Sequence, residues 1–314
     1  MDDNRRFLVL ARVGGNSLHR RWLDDDGPHR SWDLQLNAYG ADAQRMEHYD
    51  LPTVVDQGTK LDSIARHFRA HPQLLERYDY ILLPDDDLLM NVAGINRLFA
   101  IMREYDLSIA QPSLTLDSYI NHPLFVHCPQ FRLRYTNYLE GMACCFRASY
   151  LRELLPLFER HSSGWGISHV WALLMPEPAY RAAIVDEVPM THTRPQQTGA
   201  LYSQFARMGI SPEREIAELV DAYPDVPRSM LLYGGVLRDG RRAGDLQASL
   251  RAAFELLAVA HRSNVPRRML RKGMHLLGLA LTGTRYRPAP LARCAVRSPR
   301  AASTPANAAG PWSA

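Results

Sequence analysis

The feature that most constrains this chain is a strand-like run, Tyr80-Ile81-Leu82-Leu83, that breaks after Pro84 into three consecutive carboxylates, Asp85-Asp86-Asp87. An uninterrupted aromatic and branched run this short reads as a strand covered on both faces, as in parallel sheets. Three acids cannot enter the same core, so they belong at the strand's mouth, where open α/β sheets bind ligands. Side chains alternate along a strand, which puts Asp85 and Asp87 on one side and Asp86 on the other. Like charges this close repel unless a cation relieves them, and a hard divalent ion carrying phosphates is a common remedy. Taken alone, the triplet also reads as a solvated acidic turn.

The flanking chain favours the first reading. Phe7 to Val13 is a buried strand ending in the polar turn Gly14-Gly15-Asn16-Ser17, and His19 to Trp22 opens a helix. No GxGxxG or GxxxxGK[ST] pattern follows, which disfavours classical dinucleotide and P-loop sites. Ser31 to Tyr39 and Val54-Val55 read as further strands. Leu61, Ile64, Ala65 and Phe68 recur at helical spacing, as do Ile95, Leu98, Phe99 and Met102. Alternation of strand and helix through residue 105 predicts an α/β fold whose sheet is mostly parallel and covered on both faces. Beyond it, Ser108 to Leu114 and Tyr138 to Phe146 read as strands, residues 117 to 138 as loop, and Ser149 as the N-cap of a helix. Ala183 to Val188 reads as the last clear strand, with His192 emerging in the loop after it.

Apolar residues make up 46% and charged residues 22% of 314, ordinary for a globular protein with a sizeable core. No Asp or Glu follows Glu255, whereas ten Lys or Arg do, leaving 27 basic against 33 acidic residues before that point. The body is mildly acidic and the tail basic, with no nucleic-acid-binding pattern. Arg267 to Leu279 mixes basic and apolar residues as interfacial helices do, although a helix packed on the body fits the same pattern. The four cysteines lack zinc or CxxC spacing and read as reduced. With no signal-peptide or membrane-spanning run, a cytoplasmic protein is expected, with contact to the inner face of the plasma membrane through the basic tail as an extension.

One ordered series is more specific than its parts: Tyr78-Asp79-Tyr80-Ile81 through Asp85-Asp86-Asp87, Gln111-Pro112, Glu140-Gly141-Met142, Gly164-Trp165-Gly166, and Val185-Asp186 with His192. It resembles the DUF707 family over roughly residues 7 to 200, a group similar to nucleotide-sugar glycosyltransferases of the GT-A type. The resemblance implies a GT-A-like fold, and Mn²⁺ or Mg²⁺ held by Asp85, Asp87 and His192 against the diphosphate of a nucleoside-diphosphate sugar. It places Val13, Gly14, Asn16, Lys60, Asp86, Trp165 and Gly166 around the donor. Glu140, Asp186 and His169 are the implied candidates for catalysis, the last because Ser168 stands where the family commonly has an acid.

The expected organisation is a GT-A-like catalytic unit over 1–205, a helical extension over 206–284 and a disordered basic tail over 285–314. The expected activity is transfer of a sugar to a glycan or lipid-linked acceptor. Two rivals remain at this level. One is a non-catalytic GT-A-like protein that binds nucleotide sugar or glycan. The other is a phosphatase of the haloacid dehalogenase type, disfavoured because Leu88-Leu89 follows the acids instead of Thr or Val.

Overall fold

The computed structural model describes residues 5–23, 29–195, 205–283 and 285–293. Its first strand, β1 (Phe7–Val13), is buried along its whole length and shows how the sequence builds two layers. Phe7, Val9, Ala11 and Val13 enter one core, whereas Leu8 and Leu10 enter the other, because successive side chains leave opposite faces of the sheet. In β4 (Tyr80–Pro84) the alternation repeats: Tyr80 and Leu82 join the first core, Ile81 and Leu83 the second. Helix α3 (Val92–Glu104) covers the first face with Ile95, Leu98, Phe99 and Met102. Helices α1 (Lys60–Ala70) and α4 (Ala148–Arg160) cover the other, and the four-residue α2 (Leu74–Arg77) links α1 to β4.

The remaining strands are β2 (Asp33–Ala38), β3 (Val54–Val55), β5 (Leu88–Leu89), β6 (Ile109–Leu114), β7 (Phe131–Thr136), β8 (Ala143–Arg147), β9 (Ala182–His192), β10 (Leu232–Leu237) and β11 (Arg242–Gly244). Their order in the sheet is β11-β10-β7-β9-β6-β8-β4-β1-β2-β3, with β5 paired to β9 off that path. The class is α/β, a mixed sheet flanked by helices. Strands β1 to β4 pair in parallel, as the strand and helix alternation predicts. From β8 onward antiparallel pairing prevails, with β6 and β9 the parallel exception.

Several local expectations change. Strand β7 occupies part of the stretch expected to be loop, and its Leu133, Arg134 and Tyr135 pair with β9. The strand expected from Tyr138 starts at Ala143, since Asp85 takes the Met142 carbonyl (2.7 Å) and Gln111 takes the Glu140 amide (2.6 Å). Helix α4 begins at Ala148 and not after Ser149, because the Ala148 N–H already has the Asp79 carbonyl at 2.9 Å. Strand β9 continues past Pro189 to His192. Its register with β6 shifts between Pro112 and Ser113, and the irregularity absorbs the amide that proline lacks.

Beyond residue 205 lie α6 (Pro212–Ala222), α7 (Asp245–Val259) and α8 (Pro266–Leu281), but also β10 and β11, which extend the main sheet. The segment expected to be purely helical is therefore helical with a sheet edge inserted, and the short α5 (Ile167–Val170) lies between α4 and β9. Residues 285–293, expected to be disordered, run along the body: the Leu291 N–H donates to the Leu173 carbonyl (2.9 Å) and the Tyr286 ring lies 5.8 Å from that of Tyr233. The expectation for 294–314 lies outside the described residues. Among those residues no helix is long and apolar enough to cross a membrane, and Cys128, Cys144 and Cys145 are free and buried.

Candidate functional site

The acidic turn between β4 and β5 stands at the mouth of the sheet and opens into a cleft of about 730 Å³. Each of its three carboxylates holds a different part of the chain. Lys60, the first residue of α1, donates from Nζ to Asp85 Oδ1 at 2.6 Å and to the Gly141 carbonyl at 2.8 Å. Asp86 faces the other way: its Oδ2 accepts from the Gly14 N–H (2.7 Å) and the Tyr39 hydroxyl (3.3 Å), and its Oδ1 accepts from Arg194 (3.2 Å). Asp87 Oδ2 lies 3.3 Å from His192 Nε2. The split between Asp86 and its neighbours follows the alternation expected from the strand.

A backbone ladder sets the last of these contacts. Leu88 and Leu89 of β5 pair with His192 and Thr191 of β9, and the Thr193 N–H and hydroxyl both donate to the Asp87 carbonyl (3.0 and 2.8 Å). His192 is therefore the end of a strand and not a loop residue. Its Nδ1 is 3.0 Å from the Tyr119 carbonyl, so a proton there leaves Nε2 directed at the acids. Burial lowers the His192 pKa, but the Asp87 carboxylate and the Tyr119 carbonyl outweigh it and raise the value above the ordinary one. In this arrangement Lys60 and Arg194 place positive charge against Asp85 and Asp86.

The resemblance implies a divalent cation here. No three His, Cys, Asp or Glu side chains converge as ligands among the described residues. Asp85 is engaged by Lys60. Asp87 Oδ1, however, is buried and accepts no hydrogen bond, a costly state for a carboxylate oxygen unless a cation meets it. Asp87 and His192 thus suit a hard or borderline divalent ion, and Asp85 can join them once Lys60 releases it.

The cleft is also lined by Glu140, His122, Tyr138 and Ser168. Glu140 is 5% exposed. Burial raises its carboxyl to about 8, while His192, Arg268 and Gln111 pull the other way. Its Oε2 is buried and accepts no hydrogen bond. His122 Nε2 lies 3.8 Å from Glu140 Oε1, but burial lowers His122 to about 3, so the two are not an ion pair near neutral pH. The Tyr138 hydroxyl is 3.1 Å from His122 Nε2. Trp165 and Gly166 line a third side; Gly164 and Gly166 take φ of 76° and 80°, left-handed values that glycine adopts freely.

Not every expected residue reaches the cleft. Val13 is buried in β1, Gly14 serves through its amide to Asp86, and the Asn16 carbonyl accepts from Arg194. His169 is not on the cleft wall: it sits behind Tyr138, ring centroids 4.6 Å apart, and burial lowers it to about 4. Asp186 is fully buried away from the cleft. It accepts from Arg134 Nε (2.7 Å) and Nη2 (2.9 Å) and from the Cys128 N–H (2.9 Å). Its geometry is that of a buried bidentate pair that secures β7 to β9. Arg12 and Arg194 line the cleft although the sequence pattern did not single them out. A second cleft, of about 360 Å³, lies beneath α3 among Leu89, Asn91, Val188 and Pro189, and none of its lining residues is acidic.

The acidic turn, Glu140 and the Gly164-Trp165-Gly166 loop thus surround one cleft. The family described as "Protein of unknown function (DUF707)" matches residues 42–177. The chain resembles DUF707. The matched span holds Lys60, the acidic triplet, Glu140 and Trp165, whereas β1, Asp186 and His192 fall outside it, so it is narrower than the 7–200 stretch read from the motifs. No curated protein matches the chain. S. aureus TarS is similar at 9% identity and a TM-score of 0.36, over 69% of this chain and 43% of that one, so the chain spans less than half of that protein. TarS 1–349 in complex with UDP-GlcNAc is similar at 13% identity and a TM-score of 0.40, over 88% and 81%. CMP:2-keto-3-deoxy-manno-octonic acid synthetase complexed with CTP is similar at 9% identity and a TM-score of 0.30, over 48% and 78%.

Proposed function

We propose that the chain is a GT-A-like, metal-dependent glycosyltransferase that moves a sugar from a nucleoside-diphosphate donor to a glycan or lipid-linked acceptor, in the cytoplasm. The observation that carries the reading is that an acidic turn backed by His192 and a buried carboxyl raised to about 8 share one cleft. A perturbed acid in the same cleft as a cation-binding turn is the pairing that glycosyl transfer needs: the turn holds the leaving diphosphate, the acid takes a proton.

On this reading Asp87 and His192, joined by Asp85, hold Mn²⁺ or Mg²⁺. When bound, the ion offsets the negative charge that gathers on the diphosphate as the glycosidic bond breaks. Lys60 turns from Asp85 to a phosphate oxygen, and Arg12 and Arg194 add positive charge along the same wall. Trp165 presents an indole face to the sugar, the geometry that carbohydrate C–H groups favour. Glu140 takes the proton of the acceptor hydroxyl. Its carboxyl near 8 is only partly ionised at neutral pH but strongly basic once ionised, as suits a general base. His122 and Tyr138 orient Glu140 and the acceptor. Asp186 and His169 have structural tasks in this scheme.

The test is release of nucleoside diphosphate from a panel of UDP- and GDP-sugars with Mn²⁺. Turnover that Asp87→Ala and Glu140→Gln each abolish supports the reading. Donor binding without any turnover, unchanged in Asp87→Ala, would overturn it. One observation favours a second reading, a binding protein without catalysis. Ser168, which replaces the acid of the family it resembles, lines the cleft, and a hydroxyl cannot act as the base. Donor binding that depends on Asp87 but never leads to release is its signature.

A further inference from the structure

Helix α8 (Pro266–Leu281) turns Met269, Gly273 and Leu276 inward, where they pack against the body. At about 100° per residue, Leu270, Met274 and Leu281 fall together on the outward side. They are 45%, 57% and 77% exposed, and Phe254 on the neighbouring α7 is 59% exposed. An apolar sector of this size facing water is uncommon on a monomer and marks a surface with a use. Arg267, Arg271 and His275 occupy the arc beside it. No acidic residue follows Glu255 in the sequence, so nothing in this helix or beyond it offsets that positive charge.

The place of the helix is as informative as its composition. Asn264, just before α8, donates to the Ser118 carbonyl at 3.0 Å, and the Ser118 hydroxyl accepts from the His192 N–H at 3.1 Å. The charge of Arg268 reaches both Glu140 and His122 on the cleft wall. Lys272 is spent on the body, donating to the Met230 carbonyl at 2.8 Å. The helix is thus fixed beside the cleft, with its apolar and arginine sectors left outward.

We infer that α8 is a membrane-docking helix that lies in the interface of an anionic bilayer, with Leu270, Met274 and Leu281 entering the acyl boundary and Arg267 and Arg271 meeting lipid phosphates. The pairing of an apolar sector with a purely basic border is what anionic lipid, and not a neutral or cationic surface, complements. Docking there sets the cleft beside the bilayer, where a lipid-linked acceptor is presented. That last step rests on the proposed transferase activity, whereas the docking does not.

The experiment is co-sedimentation of the full chain with vesicles of phosphatidylcholine alone and of phosphatidylcholine with about a third phosphatidylglycerol, a composition chosen to carry strong negative charge. Binding is expected to the anionic vesicles only, weakening as salt screens the phosphates. Arg267→Gln with Arg271→Gln should lower partitioning about twenty-five-fold, near five-fold for each charge. Met274→Glu with Leu270→Glu should lower it more than about ten-fold, since an ionised side chain cannot enter the boundary. All four positions are exposed, so unchanged thermal melting checks that each variant is folded. Absence of binding to anionic vesicles would overturn the inference. So would binding that survives Met274→Glu with Leu270→Glu, which would place the contact elsewhere in the basic chain. Dimerisation by light scattering that the same variant abolishes would instead assign the face to a second copy. Vesicle binding is read without any sugar donor, so its failure is separate from failure of the transferase reading.

Discussion

Glu140→Gln is the sharpest single probe of the cleft. Between its ordinary value of 4.5 and about 8, the folded protein keeps the Glu140 proton that the unfolded chain has lost. The folded state therefore binds more protons over that window, and stability falls as pH rises through it. The contribution is complete below pH 4.5 and gone above about 8. Raising a carboxyl over that interval corresponds to about 5 kcal/mol at about 1.4 kcal/mol per tenfold. Water entering the open cleft reduces what is realised, and a loss of about 2–4 kcal/mol between pH 5 and pH 9 is expected. Glutamine keeps the shape and never ionises, so the variant should lack this loss and be the more stable protein at pH 9. Urea denaturation of both proteins at pH 5, 7 and 9 measures it, a shift of about 1 M in midpoint being expected. Parallel loss of stability in the two proteins would refute the argument, and with it the case for Glu140 as a base tuned by burial.

Asp186→Asn should destabilise the fold by about 3–5 kcal/mol, since it strands the buried Arg134 guanidinium; the folded fraction should bind nucleotide normally, and a selective loss of turnover at full stability would restore Asp186 to the chemistry. Lys60→Ala releases Asp85, so Mn²⁺ affinity should rise several-fold while nucleoside diphosphate affinity falls about ten-fold by calorimetry; no change in either would refute the exchange of Lys60 between Asp85 and phosphate. Gly235→Ala should cost about 2 kcal/mol or more in urea denaturation, because its Cβ would lie 2.8 Å from the Leu133 carbonyl oxygen and 2.9 Å from the Phe131 ring. A variant as stable as the parent would mean that β10 can shift away from β7.

The parts of the fold that could be read from the chain are those whose hydrophobic period is clean. Strands β1 and β4 and helices α1 and α3 announce themselves by spacing alone, and the acids after β4 could only stand at its mouth. Strand β7 was harder. Phe131, Leu133 and Tyr135 do alternate with polar neighbours, but Arg134 sits among them, and an arginine reads as exposed until its partner is known. That partner, Asp186, lies 52 positions away. Strand β10 was hidden by Gly234-Gly235, a pair that suggests a turn, whereas here close approach of β7 requires glycine. The same limit governs the site. Asp85, Asp87 and His192 could be named, but the hold of Lys60 on Asp85 and the seclusion of Asp186 and His169 are facts of three-dimensional packing. The burial that raises Glu140 leaves no mark in its neighbours along the chain.

Three of the tethers of the acidic turn have a consequence for how the protein comes to exist. They join residues 25, 72 and 108 positions apart, through Lys60, Gly14 and Arg194. Closing loops of that size is slow compared with forming a helix, so contacts of this kind set the pace of folding. The chain must gather Gly14, Lys60 and Arg194 around adjacent carboxylates before the mouth of the sheet exists. Until then those carboxylates repel one another with nothing to neutralise them. A cation and a phosphate ligand that bind there would thus act on the chain during maturation as well as afterwards, drawing the completed fold out of the ensemble by mass action.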